Sequence, residues 1–127
     1  MVNKIFKVTL YVNNQEESKK FWTEKMDFVI RCDDIMMGEH RWVEVSPKDD
    51  ETTTFVLYDK NLMKKQNPSI SVGHPSVILY TDNIEKSYSD MKSKGISVDE
   101  NIMSYPYGRM YRFFDNDNNS YLMYCEK

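Results

Sequence analysis

Val8 to Ser18 reads VTLYVNNQEES, and Val77 to Ser87 reads VILYTDNIEKS. At this offset Val8/Val77, Leu10/Leu79, Tyr11/Tyr80, Asn14/Asn83, Glu16/Glu85 and Ser18/Ser87 are identical, six positions in eleven without a gap. The identities run through a strand, its turn and the start of a helix, so a whole supersecondary unit is duplicated. The competing reading, two unrelated strand–helix junctions of similar composition, leaves the ungapped match unexplained.

Working outward, each copy has the same grammar. Phe6, Val8, Leu10 and Val12 alternate with Lys7, Thr9 and Tyr11, the period of a half-buried strand. Asn13-Asn14 supplies a helix N-cap, since a short amide accepts from the free N–H groups of the first turn. A helix is expected over Gln15 to Met26, with Phe21, Trp22 and Met26 as its apolar contacts. In the second copy Val77, Leu79 and Thr81 lead to an Asp82-Asn83 cap. Ile84, Tyr88 and Met91 then follow at i, i+4 and i+7, and Gly95 is placed to end the helix in a left-handed conformation.

Three strand-like runs follow each helix: Phe28 to Cys32, His40 to Ser46 and Thr52 to Tyr58, then Ser97 to Met103, Arg109 to Phe114 and Ser120 to Cys125. Turns are expected at Asp33-Asp34, Met37-Gly38, Pro47 to Asp50, Tyr105 to Gly108 and Asp115 to Asn119. The pattern is β-α-β-β-β, twice. The expected fold is a single α+β domain over 1–127, with module one at about 4–60, a polar linker at about 61–74 carrying at most a short helical turn, and module two at about 75–127.

A chain of 127 residues holds one sizeable core but not two independent domains. Charged residues make up 29%, and 17 Lys+Arg stand against 20 Asp+Glu, a net charge of −3. That balance argues against non-specific nucleic-acid or anionic-membrane binding, which needs a basic surface. No apolar run approaches the roughly 18 residues of a membrane span. Two cysteines, Cys32 and Cys125, cannot build a disulfide framework, and no signal-peptide pattern precedes the first strand, so a cytoplasmic location is expected. Nine Tyr and nine Met suit a core, an interface or an apolar pocket.

The chain resembles the vicinal oxygen chelate superfamily, which includes glyoxalase I, bleomycin-resistance proteins and extradiol dioxygenases. The likeness spans essentially the whole chain. Val12 to Trp22 (VNNQEESKKFW) looks like the family's strand–cap–helix opening, and Arg41 to Pro47 (RWVEVSP) like a strand of some small members. Tyr107-Gly108-Arg109, then Phe113 to Asn119 (FFDNDNN), is similar to the family's "WGR…F-x-DPDGN" close, with Asn116 replacing Pro and Asn118 replacing Gly. Asn tolerates the left-handed conformation that such a turn requires. The resemblance implies that each module curves into a half-cup whose inner face holds a ligand. It also implies pairing of two chains, so that module one of one copy completes a cup with module two of the other.

In metal-dependent members, His, Gln or Glu on the first and fourth strands of each module hold the ion. Carried over position by position, those ligands fall on Lys7, on one of Thr54, Phe55 and Val56, on Ser76 and on Leu122. An ammonium has no lone pair for a cation, and Leu has no donor atom. No metal and no cofactor are therefore expected. Of the two histidines, His40 begins a strand beside Glu39 and Arg41, and His74 precedes Pro75, so surface or hydrogen-bonded roles are the simpler reading. Asp115-x-Asp117-x-Asn119 with Glu126 at the twelfth position mimics a calcium loop but has Ser120 where the loop needs Gly, and reads as a hairpin turn. Neither cysteine has a histidine base placed near it, so both read as structural. Only four glycines are scattered along the chain, and no phosphate-binding loop exists.

Strand parity puts Lys7, Thr9 and Tyr11, with Ser76, Ile78, Tyr80, Leu122 and Tyr124, on the faces away from the helices. Aromatic surface with a few polar tips is the chemistry of a small-molecule pocket, although a second core layer would look similar. Trp42, Tyr107 and Arg109 join this ligand-binding set as rim residues, with Arg41 and Tyr111 as further rim candidates. The parity of the third strands is left open by the pattern. The leading expectation is metal-independent binding of a small, partly apolar or aromatic molecule by a homodimer. An enzyme with an atypical metal set or none, using Lys7 and Tyr124 as acid and base, is the first alternative, and a structural dimer without ligand is the second.

Overall fold

Asn14 and Asn83 cap their helices as short amides should. Asn14 Oδ1 accepts from the Glu17 N–H at 2.9 Å and Asn83 Oδ1 from the Lys86 N–H at 3.1 Å. The computed structural model describes residues 1–36, 38 and 40–126. It divides into two units, Met1–His74 and Pro75–Lys127. Unit one runs β1 (Lys7–Val12), α1 (Gln15–Lys20), β2 (Val29–Met36), β3 (His40–Ser46), β4 (Thr54–Asp59) and α2 (Lys60–Gln66). Unit two runs β5 (Ile78–Tyr80), α3 (Ile84–Ser93), β6 (Met103–Tyr105), β7 (Gly108–Phe114) and β8 (Ser120–Glu126).

Each unit makes one four-stranded mixed sheet, ordered β1-β4-β3-β2 in the first and β5-β8-β7-β6 in the second. The first and last strands of each unit pair in parallel, Lys7 opposite Thr54 and Ile78 opposite Leu122. The remaining pairings are antiparallel. This is the α+β architecture expected from the repeat, with the same strand order twice.

In unit one the helix side of the sheet is the core. Leu10, Val12, Val43, Val45, Phe55 and Leu57 are buried there, and Trp22 is fully buried among Phe21, Phe28 and Phe55. Gln15 fastens the start of α1 to the sheet, its amide donating to the carbonyls of Arg41 and Leu57 at 2.9 Å each. In unit two Ile84 and Met91 of α3 are buried with Tyr111, Phe113, Tyr121, Met123 and Cys125.

Four expectations need correcting. The first helix does not remain α to Met26: over Phe21–Lys25 it widens to a π-helical turn, Met26 N–H bonding to the Phe21 carbonyl at 3.2 Å, and Asp27 ends it at φ 58°. Phe6 is not core. It precedes β1, is 57% exposed, and carries the Lys4 and Lys7 ammonium groups over its ring. Asp33-Asp34 is not a turn. β2 continues through it to Met36, because Lys19 and Arg41 take the Asp33 carboxylate while cross-strand pairing carries on. Ser97 to Met103 is not a strand; only its end is, in β6, with a single bridge from Val98 to Phe113. The polar residues after Val98 leave the ladder, and Tyr88 donates to the carbonyls of Asp99 and Glu100.

Of the turn expected at Met37-Gly38, Gly38 has a φ of 89°, while Met37 and Glu39 lie outside the described residues. Gly95 ends α3 at φ 75°, as expected. The linker opens with α2, capped by Asp59. Among the described residues no helix is long and apolar enough to cross a membrane.

Candidate functional site

The ladders fix which side chains share the sheet face opposite α1, the open face of the unit, although Thr54, Val56 and Tyr58 of β4 and Glu44 of β3 are buried on it. In unit one Lys7, Thr9 and Tyr11 of β1 lie in register with Thr54, Val56 and Tyr58 of β4, and Val56 is opposite Glu44 of β3. Directly paired residues share a face, and every second residue along a strand returns to it. His40, Trp42 and Glu44 therefore join them, with Cys32 and Asp34 of β2 opposite Glu44 and Trp42. Phe55 turns to the helix side, where it meets Trp22.

Three strands converge on Glu44. Lys7 forms an ion pair with Oε2, the Trp42 indole N–H donates to the same oxygen at 2.6 Å, and the Thr54 hydroxyl donates to Oε1 at 2.8 Å. The Glu44 side chain is 9% exposed and that of Lys7 29%. Burial acts to raise the Glu44 carboxyl, but the three donors and the Lys7 charge outweigh it and hold the group below its ordinary value. The carboxylate is thus kept charged and enclosed, while the Lys7 side chain beside it is only partly buried.

Around this pair lies an aromatic cluster. Tyr58 sits edge-on to Tyr11 and to Trp42, with ring centres 6.0 Å apart in each case. Its hydroxyl donates to Gln66 of α2. The His40 ring is 5.0 Å from Tyr58 and 5.9 Å from Trp42. The His40 Nδ1 is buried without a hydrogen-bond partner among the described residues. Burial and the Glu44 and Asp34 charges push the Cys32 thiol up, away from the thiolate form.

The first-strand position holds an ammonium already paired with a carboxylate, the Thr54 hydroxyl is engaged by Glu44, and Phe55 and Val56 carry no donor atom. In unit two Ser76 is a lone hydroxyl ahead of β5, and Leu122 has no donor. This donor set does not fit a divalent ion. Among the described residues no group of three or more His, Cys, Asp or Glu is placed to hold one. The calcium-like spacing is a turn: Asp115 accepts from the N–H groups of Asp117 and Asn119 and from the Tyr121 hydroxyl, and Asn118 adopts a φ of 64°.

On the open face of unit two, Ile78 and Tyr80 pair with Leu122 and Tyr124, and Tyr124 with Met110. Ile78 is 65% exposed and Tyr80 58%. The Tyr124 hydroxyl donates to the Tyr107 carbonyl at 2.9 Å, and Tyr107 stacks on Tyr105 across the β6–β7 turn. Gly108 lets that hydroxyl approach: a Cβ there would stand 2.6 Å from it and 2.7 Å from the Cys125 carbonyl.

The third-strand parity, open in the sequence, removes three rim candidates. Arg109 pairs with Cys125 and turns to the helix side, where it forms an ion pair with Glu85 of α3. Tyr111 is buried there, bonded to Ser87 at 2.7 Å, and Arg41 reaches Glu16 of α1 at 3.0 Å. Trp42 falls on the open face of unit one, with Lys7, Thr9 and Tyr11. The sequence pattern singles out neither Glu44 nor Tyr58, and Thr54 only as one of three candidate metal positions. The i, i+2 relation of Trp42 and Glu44 was the available signal.

Comparison with known proteins places the chain. The model of the Glyoxalase/Bleomycin resistance protein/Dioxygenase superfamily matches residues 4–121. The chain is similar to the uncharacterized protein YetH of Bacillus subtilis (strain 168), 33% identical over 123 residues that cover 97% of this chain and 98% of that one. Among solved structures it resembles UcmS2 (27% identity, TM-score 0.81, 98% of each chain covered). It also resembles TnmS3, described as an antibiotic binding protein from Streptomyces sp. CB03234 (25% identity, TM-score 0.83, 99% of this chain and 98% of that one).

Proposed function

Since the chain belongs to the Glyoxalase/Bleomycin resistance protein/Dioxygenase superfamily, we propose that it binds a small, partly apolar or aromatic molecule, without a metal ion, against the open face of unit one. The observation that carries this reading is the joining of an aromatic cluster to one partly exposed lysine side chain on a single sheet face. Tyr11 and Trp42, backed by the buried Tyr58 ring, offer ring surface, and Lys7 offers directional donors, the combination of apolar wall and few polar groups that small-molecule sites use. Similarity to an antibiotic binding protein supports the binding of a compact organic molecule. The Lys7–Glu44 pair supports metal independence, because the carboxylate an ion would need is already neutralised.

The test is a small-molecule screen read by thermal stabilisation, since a ligand bound only to the folded state raises the melting temperature with its concentration. Hits are expected in the wild type and weakened in Trp42→Ala. Elemental analysis should find no stoichiometric transition metal. About one Zn, Ni, Mn or Fe per chain, or hits untouched by changes at Trp42 and Lys7, would defeat the reading.

A further inference from the structure

Lys7 and Glu44 are unequal partners. The carboxylate receives three donors and is enclosed, whereas the ammonium gives one of its three N–H bonds to Glu44 and keeps 29% of its side chain exposed. A molecule lying on Tyr11 and Trp42 therefore meets the positive member of the pair. The other acid on this face, Asp34, is on β2, paired directly with Trp42 but three strands from β1 and so about 14 Å from it. Next to β1 the reachable charge is positive.

We infer that the ligand of unit one is an aromatic acid or enolate, a flat ring system whose anionic oxygen accepts from the Lys7 ammonium, with Glu44 acting to position that ammonium. This rests on the small-molecule reading above and adds the charge class. Lys7 is fixed by Glu44 on one side and by the Phe6 ring, 4.5 Å below, on another, so its free N–H groups are pre-oriented. Glu44 repels a bound anion only weakly, because Lys7, Trp42 and Thr54 already satisfy it.

Three probes of one shape separate the possibilities: 2-naphthoate, 2-naphthamide and 2-naphthylmethylammonium. Each is titrated into the full chain while the Trp42 indole N–H resonance is followed, assigned by its loss in Trp42→Phe. The naphthoate should bind about tenfold tighter than the amide, the scale of one charge-assisted hydrogen bond. Lys7→Arg should keep the preference. Lys7→Met should reverse it toward the ammonium probe, by exposing an uncompensated carboxylate. Because Lys7→Met could unfold, the charge-neutral Lys7→Met/Glu44→Gln pair serves beside it, and there the three affinities should agree within about threefold. Binding of all three probes to the wild type with equal affinity, or a naphthoate preference that survives in the double variant, would overturn the charge assignment while leaving small-molecule binding intact. No shift of the Trp42 signal with any probe would overturn both.

Discussion

Replacing Glu44 by Ala should cost the fold far more than a typical surface change. The side chain is 9% exposed and joins β1, β3 and β4 through Lys7, Trp42 and Thr54. Its removal strands the buried Thr54 hydroxyl and the half-buried Trp42 N–H, each at about 1 kcal/mol or more. Lys7 loses its partner but can turn to water, so its share is nearer 1 kcal/mol than the 3–5 kcal/mol of a fully buried broken pair. The total is about 3 kcal/mol. Glu44→Gln should cost about 2 kcal/mol, because the amide places a donor against donors. Urea unfolding at pH 7 measures both. The pH dependence gives the sharper check. Glu44 is held below its ordinary value of 4.5 when folded, so its stabilisation is complete above that value and is lost as pH falls through the lower folded value. The gap between wild type and Glu44→Gln should therefore close in acid. A cost below about 1 kcal/mol for Glu44→Ala, or a gap that widens in acid, would refute the network's role.

Gly108→Ala should destabilise by about 1–3 kcal/mol through overpacking, and Tyr124→Ala should recover only part of this, since the Cys125 carbonyl also stands in the way; chemical denaturation of the three variants decides it. Asp33, which Arg41 and Lys19 hold at about 2, should contribute about 1 kcal/mol after allowance for solvent screening. That contribution is present above the ordinary carboxylate value of 3.8 and lost as pH falls toward 2, so an Asp33→Asn variant indistinguishable from wild type at pH 7 would contradict it. A dimer is expected at micromolar concentration, because Ile78, Tyr80, Met103, Tyr105 and Tyr107 keep between 40% and 65% of their surface exposed. Sedimentation showing only 15.2 kDa particles would count against it.

The duplicated stretch made most of the fold legible, because strand alternation and amide caps are local properties. Leu10 and Val12 face the helix and Lys7, Thr9 and Tyr11 the other side, as alternation alone implied. What failed was local grammar overruled from a distance. Asp33-Asp34 has turn composition, yet it stays in the strand because partners 14 and 8 residues from Asp33, Lys19 and Arg41, claim its carboxylate. Ser97 to Met103 has strand composition but loses its ladder where the Tyr88 hydroxyl donates to the Asp99 carbonyl and the Asp99 carboxylate accepts the Arg112 backbone N–H. Glu44 escaped notice for the same reason: its surroundings exist only once β4 lies between β1 and β3 in one register, and no single segment encodes that. Arg109 stands on the helix side because a one-residue choice of parity decides its face.

The strand order has a consequence for how the protein is made. In each unit the strand synthesised last, β4 or β8, lies in the interior of the sheet, bonded on both edges to strands made earlier. Until it emerges, β1 and β5 have no neighbour at all, and their apolar faces wait unpaired behind a long loop whose closure is entropically slow. Each unit therefore passes through a stage in which most of its strands exist but its sheet cannot, a window in which foreign strands compete for the vacant position. A premature stop near the end of the second repeat would remove the middle of a sheet rather than fray its margin, and a translational pause before β4 or β8 would lengthen that window.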